Sequence, residues 1–161
     1  MSAFGRLTGS GIIAPYWQRS TAERGCLIEA IHPGAFTRAL EAARSTPIRF
    51  ELDHDDAQVF GQWPDQRGRF ELYEDASGLR YEIDLRGDDL DNPAARRLCE
   101  AVRAGRFRGC STGYPLGSRV TGLFGETRLV RAVPRLNEVS FLIGLMTPHF
   151  DTRAACHLVA Y

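Results

Sequence analysis

Ser111 lies in the stretch Arg106-Phe107-Arg108-Gly109-Cys110-Ser111-Thr112-Gly113-Tyr114, with glycine two places away on either side. Glycine lets backbone approach where a side chain would block it, which suits a nucleophile that must meet a peptide. The same pattern suits a strand weakened at a bulge or a barrel corner. An activated serine needs a base. All 20 basic residues counted with lysine are arginine, so serine-lysine dyads, Schiff-base catalysis and a phosphate-loop lysine are excluded. The base must come from the four histidines.

His54 is the best placed of them. Ile48-Arg49-Phe50-Glu51-Leu52-Asp53-His54 alternates with period two, so Ile48, Phe50, Leu52 and His54 share the apolar face while Arg49, Glu51 and Asp53 share the wet one. The imidazole is therefore expected at a strand end, directed to the core side, where a satisfied buried histidine is an equally good explanation. His32 sits in a Pro-Gly turn, and His149 and His157 lie toward the tail. A base also needs an acceptor that fixes its tautomer. Strand alternation sends Asp53 and Asp55 away from His54, which favours a carboxylate from another strand over either of them. In Leu136-Asn137-Glu138-Val139-Ser140-Phe141-Leu142-Ile143, Glu138 alternates onto the face of Leu136 and Leu142, an awkward place for an unpaired charge. An edge-strand glutamate facing solvent, with Val139, Phe141 and Ile143 toward the core, fits equally well.

Two other chemistries use the same residues. Cys110 beside Ser111 offers a cysteine-histidine arrangement, but strand neighbours face opposite ways and only one of them can meet His54. The run Asp53-His54-Asp55-Asp56 offers metal-ligand types, although consecutive strand residues converge poorly on one ion. No cofactor and no metal are expected.

The composition bounds the frame. A chain of 161 residues with 43% hydrophobic and 25% charged residues fits one domain, 1–161, with a core of its own. Zero formal net charge suggests neither nucleic acid nor an anionic membrane as partner. The four cysteines lack zinc-type spacing and read as free thiols; no secretory signal or membrane-length apolar run is present.

Strands are expected at Leu7 to Ala14, Cys26 to Ile31, Ile48 to His54, Val59 to Trp63, Leu116 to Thr121, Glu126 to Val133 and Arg135 to Leu145, besides the Ser111 segment. Arg69 to Glu74 and Leu79 to Leu85 form a hairpin about Asp75-Ala76-Ser77-Gly78. The spacing of Phe36, Ala39, Leu40 and Ala43 predicts a short helix over 35–45. A second helix opens with Asn92 as N-cap and Pro93 at its first position and stops at Gly105. Two helices among many short alternating strands predict a mostly β, α+β chain forming a single antiparallel barrel or sandwich with peripheral helices.

The order of segments resembles the bacteriophage prohead (head maturation) proteases, relatives of the herpesvirus assemblin proteases. The resemblance rests on Gly25 to Phe36 with Glu29 and Ile31-His32-Pro33-Gly34-Ala35-Phe36, on Leu52-Asp53-His54-Asp55 followed by Phe60-Gly61, and on Gly78-Leu79. It rests further on Gly109-Cys110-Ser111-Thr112-Gly113-Tyr114 and Leu136-Asn137-Glu138-Val139-Ser140, so that it covers residues 5 to 145 and leaves 146–161 as a tail.

The resemblance implies an antiparallel β-barrel of the herpesvirus-protease type and a serine endopeptidase with His54 and Ser111 as base and nucleophile. Glu138 stands where relatives carry the third member. The implied substrates are scaffold and major capsid protein, with possible self-association; the implied place is the bacterial cytoplasm at synthesis and then the procapsid interior. A non-catalytic barrel serving assembly of a phage-like particle is the alternative.

Overall fold

The computed structural model describes residues 5–20, 28–115, 119–125, 127–150 and 155–159. Residues 26–27, 116–118 and 126, where three of the expected strands begin, lie outside this set.

Among the described residues three sheets carry the fold. The first is antiparallel throughout, with strand order β11 (Ala155–Val159), β1 (Arg6–Pro15), β6 (Gly78–Arg86), β5 (Phe70–Glu74). The expected β5–β6 hairpin is present, its turn held by Asp75, which accepts from the Ser77 amide at 2.7 Å. The second sheet runs β4 (Asp55–Trp63), β3 (Ile48–Leu52), β10 (Glu138–Leu142), β7 (Gly109–Gly113). The third runs β2 (Glu29–Ile31), β9 (Thr127–Ala132), β8 (Val120–Phe124).

The mostly β, α+β expectation holds, but the single antiparallel barrel does not: among the described residues the strands form separate sheets, and β10–β3 and β2–β9 pair in parallel. Alternation tells which face of a strand is wet. It carries no information on which strand lies alongside or in which direction.

Helix α1 (Thr37–Ala42) is shorter than expected and buries Ala39. Helix α2 (Pro93–Arg103) starts where the sequence places it. The Asn92 side chain accepts from the amides of Ala94 and Ala95, satisfying two donors that the helix leaves open, and Pro93 gives up none. Its buried face is Ala94, Ala95, Leu98, Cys99 and Ala101.

Between the sheets lies an aromatic core. Phe141 of β10 meets Phe60, Tyr81 and Phe107 with ring centroids 4.9 to 5.6 Å apart, and Phe50 meets Phe70 at 4.9 Å. Such tilted and edge-on contacts suit the ring quadrupoles. Gly61 allows it: a β-carbon there would lie 1.9 Å from the Phe70 ring. Val139 and Phe141 of β10 face this core, which leaves Glu138 and Ser140 to the opposite face of the strand.

Candidate active site

Residues paired across a sheet share a face, so the register of β3, β10 and β7 assembles the site. Ser140 stands between Glu51 on β3 and Ser111 on β7; Glu138 stands between Arg49 and Gly113. Ser111, Ser140, Glu51, Glu138 and Arg49 therefore share one side of the sheet. Cys110 pairs with Phe141 on the core side and is fully buried, so it is turned away from that group.

His54 reaches the same side by a route that alternation hides. Strand β3 ends at Leu52, which pairs with Asp55 at the start of β4, and Asp53 (φ 51°) and His54 (φ 59°) form the tight connection between them. Positive φ at both central residues is the mark of a hairpin turn matched to strand twist, and Asp and His tolerate it better than most side chains. The expectation that His54 continues the strand toward the core is thus corrected. The turn is pinned twice. The His54 amide donates to Ser140 Oγ at 2.9 Å, and Asp53 Oδ1 accepts from the Ile143 and Gly144 amides at 2.9 and 3.0 Å.

The imidazole meets Glu138: Nδ1 lies 2.8 Å from Oε1. Glu138 is 6% exposed, and its place depends on Gly113, since a β-carbon there would fall 1.9 Å from Oε1. The bond to Glu138 is the largest influence holding His54 above the ordinary imidazole range, against partial burial, with the charges of Glu138, Glu51 and Asp53 adding to it. An open cavity of about 520 Å³ spreads over this side, lined among others by Arg49, His54, Tyr114 and Asn137. Ser111 is half-buried, on the face that carries Glu138, and among the described residues its hydroxyl makes no hydrogen bond to the His54 ring.

The structure thus brings His54 and Glu138 into contact and sets Ser111 one strand from Glu138's. Sequence reading missed Glu51, assigned to a wet face yet 2% exposed. Ligand-type atoms of Glu51, His54 and Glu138 come within 4.8 Å of one another. Within the cluster Nδ1 is engaged by Glu138, and Arg49 Nε lies 3.3 Å from Glu51 Oε2. Asp53 and Asp55 do not converge on one point with His54; Asp55 Oδ1 accepts from the Ala57 amide at 3.0 Å.

A second ionic cluster lies just beyond the end of β7, at Tyr114. Glu29, 5% exposed, is paired with Arg119 and accepts from His149 Nε2 at 3.2 Å. Arg119 lies 5.2 Å over the Tyr114 ring and donates to its hydroxyl at 3.3 Å. Burial pushes the Glu29 carboxyl up, but the His149 bond and the charge and bond of Arg119 outweigh it and hold the group below its usual range. Nothing local in the sequence marks this network, because its members are spread along the chain.

A mostly β chain whose histidine and glutamate meet on a sheet face that also carries a serine has the groups of a serine peptidase. The family comparison agrees in class: the model of the caudovirus prohead serine proteases matches residues 10–143, and the chain belongs to that family. It is a serine peptidase of the capsid-maturation kind. No curated protein matches it.

Proposed function

We propose that this chain is the endopeptidase that cleaves scaffold and major capsid protein segments within an immature tailed-phage shell, with Ser111 as nucleophile, His54 as general base and Glu138 as the acid that orients it. The observation that carries the reading is the 2.8 Å contact between His54 Nδ1 and Glu138 Oε1 on the sheet face that carries Ser111.

With Nδ1 donating to Glu138, the free lone pair is on Nε2. That nitrogen takes the Ser111 proton as Oγ attacks the scissile carbonyl, then returns it to the leaving amine as the C–N bond breaks. Water, deprotonated by the same nitrogen, then attacks the acyl-enzyme and frees Ser111. Hydroxyl-imidazole bonds of this kind commonly tighten only when substrate closes the site, and the Ser111–His54 bond is expected to form in the complex with a peptide. Glu138 holds the tautomer and stabilises the imidazolium. Self-association within the shell is a natural means of restricting such an enzyme to its place of work.

Ser111→Ala and His54→Ala are each expected to abolish cleavage of scaffold and capsid protein, and the double variant to be hardly worse than either. Removal of such a residue costs roughly a millionfold in another serine protease, and members of one catalytic unit are not additive. Substantial cleavage by Ser111→Ala would refute the assignment.

A further inference from the structure

We propose that Glu51 is a positioning residue of this site, a second buried carboxylate beside Glu138 whose charge favours the doubly protonated, cationic form of the His54 ring. The inference rests on the catalytic reading above.

Glu51 and Glu138 stand on the adjacent parallel strands β3 and β10 and face the same side, with His54 over both. Each keeps one carboxylate oxygen, Oε2, buried and without a hydrogen bond among the described residues. Glu51 is more buried than any ordinary surface glutamate, at 2%, and its nearest opposite charge is Arg49, whose side chain is 45% exposed and shared with water. Placing a carboxylate so is costly unless a charge balances it. Burial first, then the negative charge of Glu138, push the Glu51 carboxyl up, while Arg49 and His54 pull it down.

The charged groups around Glu51 and the His54 ring are Arg49 on β3, Glu138 on β10, Asp53 in the turn, and Asp55 and Asp56 on β4. Strand β7 contributes none, since Gly113 and Ser111 stand there. With the ring neutral, two anions face each other with one half-solvated arginine between the pair and water. With the ring protonated, a cation sits against both. The protonated ring is the form produced when Ser111 gives up its proton, so Glu51 acts through His54 and favours that step.

The test reads the His54 ring directly, by NMR titration of the full chain, its signal assigned by loss in His54→Gln. The midpoint is expected to move down in Glu51→Gln and up in Arg49→Gln, with the acid limb of kcat/KM moving the same way in each. Opposite signs from neighbouring positions do not arise from general damage, and Arg49→Gln keeps the test valid if Glu51→Gln folds poorly. On its plateau Glu51→Gln should lose roughly tenfold in kcat/KM, well short of the loss for a triad member. An unmoved midpoint in both variants overturns the role of Glu51. Failure of the peptidase reading would show differently, as a wild-type chain that cleaves nothing while its His54 midpoint still responds to Glu51→Gln, and the catalytic part of this inference would fall with it.

Discussion

Gly113 stands directly across from Glu138 in the β7–β10 ladder, so close that a β-carbon on it would lie 1.9 Å from the carboxylate oxygen that holds His54. The glycine two places after Ser111 thus makes room for the acid. Gly113→Ala should displace Glu138, free the imidazole and lower kcat/KM by between about tenfold and the roughly ten-thousandfold seen when an orienting acid is lost elsewhere. Steady-state kinetics beside a thermal melt will separate this from unfolding; activity within a few-fold of wild type would show that Glu138 has room to spare.

Glu138→Gln should act on the same bond without changing the backbone. His54 lies above the ordinary imidazole range chiefly through that bond, and in the proposed mechanism the neutral ring is the base, so wild-type kcat/KM should rise with pH through a limb above about pH 6.5. The glutamine variant should have a lower plateau and a limb moved to lower pH. A limb that stays put would remove Glu138 as the partner of His54.

The same pairing predicts a stability trend. A histidine whose folded-state value is raised contributes stability that is complete below its unfolded value and is lost as pH rises through the folded value. The Tm advantage of wild type over His54→Gln should therefore be largest on the acid side of about pH 6.5 and shrink above it. Because the ring is 30% exposed, the advantage should be small. An advantage that grows with pH would contradict the pairing.

Ser140→Ala removes the acceptor for the His54 amide and loosens a turn already held at positive φ. A lost hydrogen bond of this kind costs about 1 kcal/mol, visible as a small drop in Tm. The ring should become less well placed, so kcat should fall more than KM rises.

Gly61→Ala tests the core behind the site. Its methyl would meet the Phe70 ring at 1.9 Å, and overpacking of this sort costs about 1–3 kcal/mol. Chemical denaturation should show the loss, with His54 titration unchanged in the folded protein.

Local signals were legible and pairings were not. Asn92-Pro93 marks a helix start with groups that act within one turn, and the β5–β6 hairpin has its alternation and turn side by side. His54, Ser111 and Glu138 could be singled out because each is a reactive type in a segment of clear face. The direction of His54 could not, because Asp53-His54 reads as two more alternating residues unless the pair is recognised as a turn, and no glycine announces one. Glu51 looked wet because its strand neighbours Arg49 and Asp53 are polar; only the parallel placement of β10 brings Glu138 beside it. The β11–β1 pairing and the separation into three sheets depend on contacts between ends of the chain far apart in sequence.

The account stands on an activated Ser111, and the most direct measurement is its reaction with a fluorophosphonate, mapped by peptide mass spectrometry. Wild type should be labelled at Ser111 alone, with labelling lost in Ser111→Ala and strongly reduced in His54→Gln. A chain left unlabelled, or labelled equally without His54, would contradict the account and leave a fold that serves assembly without catalysis.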